Sequence, residues 1–78
     1  MKKSIHSKRN EAFLELLRQV REEAGLLQAE LAKRLDKPQS FVSKCERGER
    51  RLDLVELETV CNAVGVSLQD FVNRYSEK

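Results

Sequence analysis

Residues Gln28 to Gly48 read QAELAKRLDKPQSFVSKCERG, two short apolar patterns separated by a break. In the first, Leu31, Ala32 and Leu35 fall on one side of a two-turn helix from about Gln28 to Leu35, with Glu30 and Arg34 spaced to pair on its surface. Asp36-Lys37-Pro38 then interrupts the periodicity. Asp tolerates a left-handed backbone better than most residues, and Pro suits the start of a helix. The second pattern, over roughly Pro38 to Arg47 with a stop at Gly48, is poor in apolar surface. At 100° per residue only Val42 and Cys45 fall together, while Ser40, Lys44 and Arg47 share the opposite side, flanked by Phe41 and Ser43. A helix this short is marginal alone in water, so other parts of the chain must hold it, and its polar side is left for another purpose.

The flanking segments supply the apolar surface that this helix lacks. Phe13, Leu16, Leu17, Val20 and Ala24 recur at helical spacing and end at Gly25, which suits a left-handed C-terminal position. Asp53-Leu54-Val55-Glu56 reads as a capping box, followed by a stripe of Leu54, Leu57, Val60, Cys61 and Val64 before Gly65. Ser67-Leu68-Gln69-Asp70 opens a last short helix whose Leu68, Phe71, Val72 and Tyr75 exceed what its own packing needs. These residues are the candidates for a subunit interface, against the alternative that they close the monomer's core. The expected fold is all-α, a compact five-helix bundle over residues 10–75, preceded by a disordered basic tail at 1–9 and followed by a short end at 76–78.

Composition sets the outer limits. Seventy-eight residues, 40% apolar and 36% charged, make one small domain, too apolar for a disordered chain. No run approaches the length of a membrane span and the start is no signal-peptide core, so a cytoplasmic protein with no membrane contact is expected. The single histidine, His6, lies in the tail as a plain solvent residue, and no nucleophile elbow, phosphate loop or metal cluster is written, which argues against an enzyme, a metal or a cofactor. Cys45 and Cys61 lack the spacing of a zinc or thioredoxin-like motif. They read as reduced core residues, with a disulfide left open if their helices touch. Charge is not spread evenly: stretches 1–9 and 33–51 each carry a net +4, and stretches 10–32 and 52–78 each carry −3. Basic charge gathered around the polar helix is the footprint of a surface that binds a polyanion.

Two short helices joined by a tight turn, the second with a polar face, describe a helix-turn-helix. From Phe13 to Phe71 the chain also resembles the Cro/repressor-type, XRE-like family of bacterial and phage regulators. The resemblance is carried by Gln28-x-x-Leu31-Ala32, by Ser40-x-x-Ser43-x-x-Glu46-x-Gly48 and by Ala63-x-Gly65-Val66-Ser67. It implies a lambda-repressor-like DNA-binding fold whose third helix enters the major groove of double-stranded DNA. Matching positions make Gln39, Ser40 and Lys44 the base readers, with Ser43 and Phe41 at the edges. Their chemistry agrees: Gln bonds bidentately to adenine, Lys to guanine, and an aromatic edge lies on a thymine methyl. Phe41 has a second reading as part of the core.

By the same resemblance Gln28 meets the phosphate backbone and also braces Gln39, while Arg47, Arg50 and Arg51 hold phosphates from the loop after the third helix. For Arg50 and Arg51 the rival reading is pairing with Glu49 or Asp53. Arg21 and Glu46 match a structural ion pair that joins the first helix to the third. The chain departs from the family pattern where Leu27 replaces the usual Ser or Thr cap of the second helix and where Asp36 replaces the turn glycine. The function implied is a transcriptional regulator bound as a homodimer to an inverted repeat. The alternative is an antitoxin or adaptor that binds another protein, with DNA contact secondary.

Overall fold

The computed structural model describes residues 7–78. Five α-helices follow one another, α1 over Lys8–Glu23, α2 over Gln28–Leu35, α3 over Gln39–Glu46, α4 over Leu54–Val64 and α5 over Leu68–Ser76, and there is no strand among the described residues. The helix ends explain the boundaries. Ser7 accepts the Asn10 amide at 3.0 Å, so α1 takes in Lys8 and Arg9, which the sequence assigned to the tail. The rest of that tail, His6 included, lies outside the described residues. Asp53 accepts the Glu56 amide at 2.7 Å and Glu56 accepts the Asp53 amide at 2.9 Å, completing the expected capping box. Ser67 caps α5 through the Asp70 amide at 3.0 Å.

The two departures from the family pattern are both compensated locally. Leu27 provides no side-chain cap for α2, but Glu30 turns back and accepts the Leu27 amide at 2.8 Å, half of a capping box. Glu30 is therefore not paired with Arg34 as its spacing suggested; Arg34 reaches the Ala63 carbonyl at 2.8 Å and ties α2 to α4. At the turn into α3, Asp36 takes the left-handed conformation at φ 57°. The amide of Lys37 then reaches the Ala32 carbonyl and that of Asp36 reaches Lys33, the same pair of bonds that closes α1 around Gly25. The turn keeps its geometry without glycine.

Leu16, Leu17 and Val20 of α1, Leu31 and Ala32 of α2, Val42 of α3 and Leu57, Val60, Cys61 and Val64 of α4 form one core, closed by Phe71 of α5. Phe13 meets the Phe71 ring edge-on at 5.9 Å and Tyr75 at 6.3 Å. Phe71, expected at a subunit interface, is 1% exposed and belongs to the core; its position on the inner side of α5 points it at α1. Cys45 and Cys61 are both buried and free, and burial raises both thiol pKa values, as it does for thiols used as packing. No helix among the described residues is long and apolar enough to cross a membrane.

Candidate nucleic-acid interface

The polar helix α3 buries only Val42 and Cys45 fully. Its remaining support is ionic. Arg21 of α1 forks onto Glu46 at the end of α3, Nε to Oε2 at 2.6 Å and Nη2 to Oε1 at 3.0 Å, with side chains only 9% and 8% exposed. Arg21 Nη1 also donates to the Leu26 carbonyl at 2.8 Å, and Gln28 Nε2 donates to Glu46 Oε1 at 3.0 Å. Donating to the Glu46 carboxylate raises the Arg21 pKa against the opposing effect of burial. Every buried side-chain nitrogen and oxygen among the described residues has a partner, so the charges are satisfied inside the fold. The pairing expected of Arg21 and Glu46 is present, and it fixes α3 to both α1 and the start of α2.

Held in this way, α3 turns Gln39, Ser40 and Lys44 outward, all three exposed, with Ser43 half-buried beside them. Gln28, half-buried at the start of α2, has its amide engaged with Glu46 rather than with Gln39. Phe41 is half-buried and packs against the core, so most of its ring follows the second of its two readings. Its ring carries two cations: Lys37 Nζ lies 5.4 Å from the centroid and the Arg50 guanidinium carbon 5.2 Å.

The loop after α3 is tied back to it, with the Glu49 and Arg50 amides both directed to the Lys44 carbonyl at 2.9 and 3.2 Å. Arg47 pairs with Glu49 at 3.0 Å and also bonds Ser43, in an exposed arrangement that raises the Arg47 pKa and lowers that of Glu49, each first through their shared hydrogen bond. Arg50 pairs with Glu56, neither of the partners anticipated for it. Glu56 is held down to about 2, first by the Arg50 hydrogen bonds and then by the Asp53 amide. Arg51 is exposed. Sequence reasoning found the cap that Glu56 makes and missed its second role, because a six-residue separation across a loop has no periodic signature. It missed the Gln28–Glu46 bond for the same reason.

The last helix, α5, leaves Val72 45% exposed, with Tyr75 and Leu68 half-buried. Val72 and Tyr75, with Phe13, Leu57 and Phe71, line a groove of about 410 Å³. Arg9 lies at its rim, its guanidinium 4.1 Å above the Tyr75 ring. No group of three or more His, Cys, Asp or Glu among the described residues is arranged to hold a metal ion.

Residues 17–71 match the helix-turn-helix family model. Among solved structures, an XRE-family like protein from Pseudomonas syringae pv. tomato str. DC3000 is 43% identical, with a TM-score of 0.85 over 95% of this chain and 90% of that one. The clp gene regulator ClgR from Corynebacterium glutamicum is 28% identical, with a TM-score of 0.79 over 96% of both chains. No curated protein sequence matches the chain.

Proposed function

We propose, from the premise that the chain belongs to the XRE-type helix-turn-helix family and is a DNA-binding transcriptional regulator, that it binds an inverted-repeat operator as a homodimer through α3. The observation that carries this reading is the exposed row of Gln39, Ser40 and Lys44 on a helix immobilised from behind by the Arg21–Glu46 fork. A rigid array is what base-edge recognition requires, because each bidentate contact is directional. In this reading Gln39, Ser40 and Lys44 read bases. Gln28, Ser43, Arg47 and Arg51 contact phosphate, and the exposed pairing of Arg47 with Glu49 is weak enough to yield to it. Phe41 supports the array from its edge.

The dimer follows from the number of bases one short helix can reach. Two half-sites read together multiply the discrimination, and family geometry separates them by about 34–36 Å. The groove beside Val72 and Tyr75, together with the half-buried Leu68 of the same helix, is the surface that α5 offers to a second copy. Regulation of this kind calls on no catalysis, and it belongs in the cytoplasm.

Selection of bound sequences from random duplexes with the full chain tests the reading in one step. The expected product is a two-fold symmetric sequence with half-sites one helical turn apart. Absence of enrichment, together with a protein partner that co-purifies and a flat salt response, would instead favour the protein-binding alternative.

A further inference from the structure

Arg50 lies in the loop that follows α3, and both of its terminal nitrogens, Nη1 and Nη2, are engaged. Nη2 donates to Glu56 Oε2 at 2.6 Å and Nη1 to Glu56 Oε1 at 3.0 Å. Nη1 also donates to the Arg51 carbonyl, and the guanidinium carbon sits 5.2 Å from the Phe41 ring centroid. Glu56 cannot drift away with it, since Oε1 also accepts the Asp53 amide at 2.9 Å inside the α4 capping box. A carboxylate anchored to the start of α4 thus serves as the counter-ion of a cation lying on the recognition helix.

We propose that Glu56 is a positioning residue for DNA binding, one that keeps Arg50 as a brace on Phe41 and away from the phosphate backbone. This rests on the DNA-binding reading above. Two physical points carry it. A guanidinium forked by a carboxylate presents no net charge to a phosphate, so it releases no counter-ion when DNA binds. A guanidinium lying on an aromatic ring is also held by the ring, and the ring here belongs to the helix that carries the base readers. The contrast with Arg47 is instructive: its partner Glu49 is anchored to no cap, and both are more than half exposed.

Glu56→Gln tests the idea, because Gln can still accept the Asp53 amide and preserve the cap while losing the charge that holds Arg50. Freed, Arg50 adds about one phosphate contact. The slope of log K against log salt should steepen by about 0.9, which corresponds to about an eightfold gain in affinity at 0.1 M salt for any duplex. A merely structural role for Glu56 leaves that slope where it was. Replacing Arg50 in the same background, as Glu56→Gln with Arg50→Met, should abolish the gain.

An unchanged slope in Glu56→Gln overturns the proposal, as does a gain that survives the loss of Arg50, since Glu56 would then act by simple repulsion. The wild-type slope separates this from a failure of the DNA-binding reading. A steep wild-type slope with no change in the variant removes only the role of Glu56, whereas a flat wild-type slope removes both.

Discussion

Two arginine–carboxylate forks stand on either side of α3, and their bond lengths are the same: 2.6 and 3.0 Å for Arg21 with Glu46, and 2.6 and 3.0 Å for Arg50 with Glu56. They differ in depth. The first pair is 9% and 8% exposed, the second 43% and 31%. Burial makes the first pair costly to break, because the partner left behind has neither water nor a counter-charge. The second pair is open to water, so breaking it costs the fold little, and its value lies in what it keeps Arg50 from doing. Forks of equal length, one side-on through Nε and Nη2 and the other end-on through Nη1 and Nη2, therefore serve two purposes, and accessibility to solvent decides between them.

The comparison is broken most easily at Glu46. Glu46→Gln leaves the Arg21 charge buried without a counter-charge and should lower stability by about 3–5 kcal/mol, measured by denaturant unfolding. A variant that unfolds with the wild-type midpoint would mean the buried fork contributes nothing. Arg21→Lys keeps the charge but gives up the planar fork and its bond to the Leu26 carbonyl. The expected loss is about 1.5–3 kcal/mol by the same measurement, and a loss below the error of the fit would show that charge alone suffices.

Glu56→Gln should move the midpoint at neutral pH far less than either change at the buried fork. Its signature is in acid. Glu56 has a pKa of about 2 in the folded chain against an ordinary 4.5, so its contribution is complete above about 4.5 and is lost as pH falls toward 2. Stability measured from pH 5 to pH 2 should therefore fall less steeply in the variant than in the wild type. Parallel curves would show that the Arg50 fork has no hold on the folded state.

How much of this could be read from residues alone depended on distance along the chain. The helices announced themselves through apolar spacing, and their ends through Gly25, Asp53 and Ser67, because those signals are local. The Arg21–Glu46 pair was legible only through resemblance to a family, and the structure supplied its Gln28 and Leu26 partners. Phe71 was misjudged because the apolar stripe of α5 has two sides, and periodicity does not say which side meets α1. The partner of Arg50 was missed because two candidates nearer in sequence, Glu49 and Asp53, were both already engaged, one with Arg47 and the other with the Glu56 amide. Competition among neighbouring charges is a property of the assembled loop.

The central claim is that α3 presents Gln39, Ser40 and Lys44 to base edges while Arg47 and Arg51 hold only the backbone. The most direct test compares Lys44→Ala with Arg51→Ala on the selected duplex and on a panel of its single-base variants. Lys44→Ala should erase discrimination of about 1–3 kcal/mol at one base-pair position and leave the others intact. Arg51→Ala should weaken binding to every duplex alike and make the salt slope about 0.9 shallower. Equal losses on all duplexes from both substitutions would contradict the account, since Lys44 would then be reading nothing.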